Sequence, residues 1–344
     1  MEAVFSSSED RIRASQASVT AAGSPFVSRE VPQAKPAAPE IVWRKVSSPV
    51  SYPWLPQARF LSGWLKSAAE SLFFTLFPSD CRLCGEPQLN ISRLPVCLDC
   101  LAQVHPIRGK VCFICGERVF SAYAATDPTG QRRCPACRTA KRPFGRAVAY
   151  GSYEGELREL IHLLKYNRVR PAANVLGQVL AEAIAALEPA FEQPAILVIP
   201  VPLYRGKRRQ RGFNQAELIA RAALKAQKND RLELANTVLR RTRETGSQIG
   251  LSIQERRENL RGAFAVGRAA DVAGREVLLV DDVYTTGATM SECARVLQRA
   301  GAARVWAATV ARTLRLASPT YGIEPEEAES GEDQESALAR AAGS

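Results

Sequence analysis

No stretch of this 344-residue chain reaches the ~18 consecutive apolar residues that a membrane-crossing helix needs, so no span is expected. Met1–Gln16 also lacks a basic segment followed by an apolar core, the pattern of a secretory leader. The chain therefore reads as cytoplasmic, and its nine cysteines as reduced or metal-bound rather than paired in disulfides. No G-x-x-x-x-G-K-[ST] run occurs, which argues against a P-loop nucleotide hydrolase even though one apolar run ends in paired acids. Aromatic residues make up only 7%, weak support for a base-stacking platform.

What is present suits a soluble globular protein of about two domains. Hydrophobic residues are 46% and charged residues 24%. The net charge of +11 favours anionic ligands, either phosphorylated small molecules or nucleic acid. Residues 1–57 are rich in Ser, Ala, Pro and Gln and read as disordered, as does the acidic tail 318–344. Between 58 and 77, Leu61, Trp64, Leu65, Ala68, Leu72, Phe73, Leu76 and Phe77 recur at helical spacing, which predicts an amphipathic helix packed on the rest of the protein. From 144 to 313 strand-like and helix-like runs alternate, the pattern of an α/β sheet. Strands are expected at Ala147–Tyr153, Ile196–Pro200, Gly262–Val266, Val277–Asp281 and Val305–Arg312. Helices are expected at Gly155–Tyr166, Ala172–Leu187, Asn214–Ala226 and Thr289–Ala300.

The run Val277–Thr289 (VLLVDDVYTTGAT) carries the most definite chemistry. Four apolar residues predict a buried parallel strand, closed by Asp281 and Asp282. A turn of small and hydroxyl residues follows, then a helix. Free N–H groups and the positive end of the helix dipole hold a phosphate at such a corner. Thr285, Thr286 and Thr289 add hydroxyl donors, and Gly287 and Ala288 let the backbone approach. Two acids beside a phosphate need a neutral or cationic neighbour, and ribose hydroxyls or Mg²⁺ meet that need. This ordered run resembles the phosphoribosyl diphosphate (PRPP) signature of type I phosphoribosyltransferases. The resemblance implies that the acid pair holds the ribose hydroxyls and that the loop wraps the 5′-phosphate.

Eight cysteines fall into four C-x-x-C pairs: Cys81/Cys84, Cys97/Cys100, Cys112/Cys115 and Cys134/Cys137. Each pair aims two thiolates at one point, so two pairs complete a closed Cys₄ shell for a structural Zn²⁺. The segment 78–140 is thus a double zinc ribbon holding two zinc ions, with iron–sulfur binding as the rival. Sequential ligand pairing is expected, although the spacing allows an interleaved one. This module and the sheet domain are expected to have separate cores. His105 is read as a surface residue and Cys293, which shares a helical face with Val296, Leu297 and Ala300, as a core residue.

Two basic segments complete the pattern. Arg205, Lys207, Arg208, Arg209 and Arg211 follow the strand Ile196–Pro200, where α/β proteins bind ligands. Arg205 and Lys207 are candidates for the diphosphate, and the other three for substrate or nucleic acid. The run Thr242–Ser247 has the composition of a loop that closes over a reactive centre. Together "IPVPLYRGKRRQRGFNQAELIA", "RRTRETGSQIGLSIQERRENLRGAF", "VLLVDDVYTTGATMSECARVLQRAGA" and "LIHLLKYNR" resemble the ComF family over about residues 78–313. The resemblance implies a type I phosphoribosyltransferase-like sheet with flanking helices, preceded by a small cysteine-rich double zinc ribbon. It implies PRPP with Mg²⁺ as ligand, and an association with DNA uptake in natural transformation, with single-stranded DNA and the uptake machinery as partners. Two functions follow: phosphoribosyl transfer to an unidentified acceptor, with Asp282 a candidate general base, or DNA handling on a phosphate-binding frame without turnover.

Overall fold

The computed structural model describes residues 80–88, 93–119, 126, 130–245 and 252–314. The expected N-terminal segment, the helix at 58–77, the acidic tail and the polar run 246–251 lie outside these residues.

Short helices α1 (Leu98–Ala102) and α2 (Pro135–Thr139) belong to the cysteine module. The sheet domain then runs β1 (Ala147–Ser152), α3 (Gly155–Lys165), α4 (Ala172–Ala185), β2 (Ile196–Pro200), α5 (Arg205–Arg211) and α6 (Gln215–Gln227). It continues through β3 (Leu232–Leu234), β4 (Leu239–Arg241), α7 (Ile253–Leu260), β5 (Phe264–Val266), β6 (Glu276–Tyr284), α8 (Ala288–Arg299) and β7 (Arg304–Arg312). Five strands form one parallel sheet in the order β1-β7-β6-β2-β3. The expected strand at Gly262–Val266 forms as β5, but it pairs antiparallel with β4 in a separate two-stranded ribbon. Among the described residues no helix is long and apolar enough to cross a membrane.

The apolar runs of β2 and β6 are covered on both faces, as parallel strands require. Leu278 and Val280 of β6 join a core with α3, α4 and α6, whereas Val277 and Leu279 join a core with α8. Alternation along the strand thus divides the hydrophobic interior in two. The ribbons divide in the same way. Cys81, Leu94, Val96, Cys100 and Leu101 join the first core, and Cys112, Cys115, Cys134 and Cys137 the second. Backbone bonds from Ile107 N to Tyr150 O (2.7 Å) and from Ala147 N to Ile114 O (2.8 Å) tie both ribbons to β1. The separate cores expected from the sequence are therefore absent: module and sheet share their interior.

Parallel order places the C-terminal ends of β2 and β6 side by side, with Pro200 opposite Val280. Open α/β sheets bind ligands at such carboxyl ends. The acid pair lies in the C-terminal part of β6, and the basic segment follows β2.

Candidate functional site

β6 does not stop at the acids. Val283 and Tyr284 pair with Ala311 and Arg312 of β7, so the strand runs three residues past the expected end at Asp281. The turn is correspondingly short. Thr285 is exposed, Thr286 is half-buried, and Gly287 adopts a left-handed φ of 75° as the N-cap of α8. That φ favours glycine. A Cβ at this position would also overlap the Tyr284 hydroxyl. Thr286 Oγ1 accepts from Ala288 N at 3.4 Å, and the half-buried Thr289 stands in the first helical turn. No acidic residue occupies that turn, so the positive end of the helix is not neutralised locally.

The two carboxylates part company, as neighbours on a strand do. Asp282 is buried, and its Oδ1 forms an ion pair with Lys165 Nζ at 2.8 Å. Its Oδ2 is buried with no hydrogen-bond partner. Asp281 is half-buried, and its Oδ1 accepts from Asp282 N at 2.9 Å. Burial first and the Asp282 charge second push the Asp281 carboxyl up to about 8. Burial opposes the Lys165 ammonium, but the nearby Asp282 carboxylate outweighs it and raises the lysine's pKa.

Sequence reasoning missed Lys165. A signal was available: it lies four residues after Ile161 and eight after Leu157, on the buried stripe of α3. A lysine on an apolar stripe needs a buried anion, and Asp282 is that anion.

The basic segment is helical. Arg205, Lys207, Arg208 and Arg209 are exposed on α5. Val201 N bonds Val280 O at 2.8 Å, which anchors the start of this segment to β6 one residue before the acids. Asn214 Nδ2 donates to Val201 O at 3.0 Å and holds the far end of α5 to the same point. Arg211 bonds Gln215 Oε1 at 2.6 Å and lies 5.8 Å from the Tyr166 ring centroid, so it is committed within the fold.

Two arginines of the second basic segment are also engaged, Arg241 just before the expected closing loop and Arg243 within it. Arg243 donates to the carbonyls of Asn259 (2.9 Å) and Arg261 (3.0 Å), closing the end of α7. Arg241 bonds Thr245 and lies 5.4 Å from the Phe264 ring centroid.

The cysteines converge as two sequential tetrads, Cys81/Cys84/Cys97/Cys100 and Cys112/Cys115/Cys134/Cys137, with the sulfurs of each within 4.8 Å of one another. A tetrahedron with Zn–S bonds of about 2.3 Å has S···S edges of about 3.8 Å. Observed edges are 3.9 Å for Cys81–Cys100, 3.7 Å for Cys84–Cys97 and 3.7 Å for Cys115–Cys134, so the donor sets fit zinc. Cys97 N and Leu83 N donate to Cys81 Sγ at 3.3 and 3.5 Å, contacts that favour a thiolate. The tetrads differ in exposure, because the second is wholly buried while Cys84 of the first is exposed. His105 is exposed, as expected. Cys293 is fully buried with its thiol pushed well up by burial, which suits a core residue.

Comparison with known proteins agrees with this geometry. Residues 72–138 match the double zinc ribbon domain, and residues 210–327 the phosphoribosyl transferase domain. β1 and β2 of the same sheet lie before the second match. The chain is 32% identical over 238 residues to DNA utilization protein YhgH of Escherichia coli, covering 69% of this chain and 98% of that protein. It is 28% identical to Competence protein F of Haemophilus influenzae, covering 60% and 91%. With Competence protein ComFC of Bacillus subtilis it shares 25% identity, covering 63% and 84%. The joined ribbons and sheet, together with near full-length similarity to the DNA utilization protein, place this chain in the ComF family of double-zinc-ribbon, phosphoribosyl transferase-domain proteins.

Proposed function

We propose that this protein binds PRPP with Mg²⁺ at the ends of β2 and β6 and transfers the phosphoribosyl group to an acceptor amine or base, releasing diphosphate. The observation that carries this reading is the union of an acid pair with a glycine-capped phosphate turn at the N-terminus of α8. Thr285, Thr286 and the backbone of Gly287–Thr289 hold the 5′-phosphate through hydroxyl and N–H donors. Lys165 pairs with Asp282 Oδ1 and fixes its position, and the unpartnered Asp282 Oδ2 accepts from a ribose hydroxyl. Burial and the neighbouring Asp282 charge raise the Asp281 carboxyl to about 8, so near neutrality it is suited to donate a hydrogen bond or a proton rather than to accept one. Exposed Arg205 and Lys207 on α5, which follows the neighbouring strand β2, balance the departing diphosphate charge. Asp281 and Asp282 are the carboxyl groups that would hold Mg²⁺, which would supply further neutralisation of the departing charge.

A second role is favoured by the exposed cations of α5, which suit a nucleic-acid backbone. Relatives named for DNA utilization and competence fit a cytoplasmic protein that handles single-stranded DNA alongside uptake proteins. Phosphate binding at the turn and DNA contact at α5 are compatible.

PRPP with Mg²⁺ should raise the melting temperature, and Asp281→Asn combined with Asp282→Asn should abolish the shift. A shift of unchanged size in the double variant would sink the assignment of the ribose to the acid pair. Release of diphosphate from PRPP, screened across nucleobases and other amines, tests turnover and identifies the acceptor.

A further inference from the structure

Tyr284 and Arg312 end β6 and β7 as a register pair, and each is only 3% exposed. Arg312 reaches in two directions. Toward the second ribbon it donates to the carbonyl oxygen of Cys115 and to the Glu117 carboxylate, the latter at 2.5 Å. Toward the sheet its guanidinium lies 4.6 Å from the Tyr284 ring centroid, a cation–π contact inside the core. Tyr284 meets Phe144 edge-on at 6.5 Å, and Phe144 packs in the same core as the second tetrad. The Tyr284 hydroxyl fills the space that a side chain at residue 287 would need, and it has no hydrogen-bond partner. An unbroken line of packed groups therefore joins Cys115, a member of the second tetrad, to Gly287, the cap of the phosphate turn.

Among the described residues no such line leads from the first tetrad. Its buried members Cys81 and Cys100 lie in the core on the other face of the sheet, with α3 and α4. Close-packed interiors pass displacements along rather than absorbing them. Loss of the tetrahedral anchor at Cys115 would release the Cys115 carbonyl and Arg312, and then the Tyr284 ring that supports Gly287.

We propose that Arg312 and Tyr284 are positioning residues for the phosphate turn, and that they couple metal occupancy of the second tetrad to PRPP affinity. This inference rests on the PRPP reading of the site. Coupling is reciprocal, so PRPP must in turn strengthen zinc retention at the second tetrad.

The test follows zinc release from the full-length, zinc-loaded protein to a zinc-selective colorimetric chelator, with Mg²⁺ alone and with Mg²⁺ plus PRPP. Two phases are expected, a fast one from the tetrad with exposed Cys84 and a slow one from the buried tetrad. PRPP should slow the slow phase by about fivefold or more and leave the fast phase unchanged. Arg312→Lys keeps the charge but loses the forked contact, and Tyr284→Leu removes the ring. Either variant should retain both zinc ions yet lose the PRPP effect, and the second serves if the first does not fold. PRPP that raises the melting temperature while leaving both phases unchanged overturns the coupling and leaves the PRPP reading standing. Slowing of both phases alike, in wild type and variants, would mean general stabilisation and would also overturn it. Failure of PRPP to shift the melting temperature removes both readings.

Discussion

At the scale of single residues, the site depends on how the central strand β6 treats two adjacent carboxylates. The raised pKa of Asp281 has a definite consequence for stability. Below the ordinary carboxylate range, folded and unfolded chains are both protonated there, and the group costs nothing. As pH rises the unfolded chain releases its proton first, so the native state loses ground until about pH 8, where the folded group also ionises. Asp281→Asn cannot ionise. Its melting temperature, relative to wild type without ligand, should rise between about pH 5 and about pH 8 and then level off. A constant difference measured by calorimetry across that range would show that the burial of Asp281 has no such effect. Lys165 gives a second case. Lys165→Met leaves the buried Asp282 carboxylate without its partner, which should cost about 3–5 kcal/mol by urea denaturation. Adding Asp282→Asn should restore most of that loss, because the orphaned charge is removed; strictly additive losses would count against the pair. The sequence showed both aspartates, since their place after an apolar strand is a local pattern. It did not show their different partners, since Lys165 on α3 reaches Asp282 from 117 positions away in the chain.

At the scale of elements, legibility followed length and apolar periodicity. The strands of the main sheet and helices α3, α4, α6 and α8 appear within a few residues of their expected limits, except the three-residue β3. β3 and β4 are too short for alternation to register. α5 has no apolar periodicity at all. It forms because Gly212, at a left-handed φ of 83°, closes it with an N–H bond to Arg208 O at 2.8 Å. Helical geometry then separates its cations by role. If Arg208 and Arg209 contact single-stranded DNA, changing each to Ala should flatten the salt dependence of binding by roughly 0.7 per lost phosphate contact. Arg205→Ala with Lys207→Ala should instead weaken PRPP and leave that slope alone. The opposite pattern, in titrations of both ligands across salt concentrations, would reverse the assignment. Arg211 is omitted from both sets because Gln215 and Tyr166 already engage it.

At the scale of the whole molecule, the sequence presents ribbons and sheet as consecutive segments, and nothing local says whether they fold apart. Spacing alone was enough to call two Cys₄ shells, because a C-x-x-C pair is a self-contained geometry. The joining bonds are of another kind: Ile107 to Tyr150 and Arg312 to Glu117 link residues 43 and 195 positions apart. Each core holds cysteines of one ribbon beside strands of the sheet, so neither ribbon can unfold without exposing part of the other domain's interior. The zinc-loaded protein should therefore carry about two zinc ions per chain and unfold in a single calorimetric transition. Removing the metal should lower the midpoint of that whole transition, and Cys81→Ser should destabilise the α3–α4 face as well as its own ribbon. Hydrogen exchange gives the sharper reading. Amides of β1, at the edge beside both ribbons, should lose protection on metal removal before those of β2, deep in the sheet. Two resolved transitions, with only the smaller one shifting when zinc is stripped, would mean that the shared interior contributes little and that the ribbons fold as independent units.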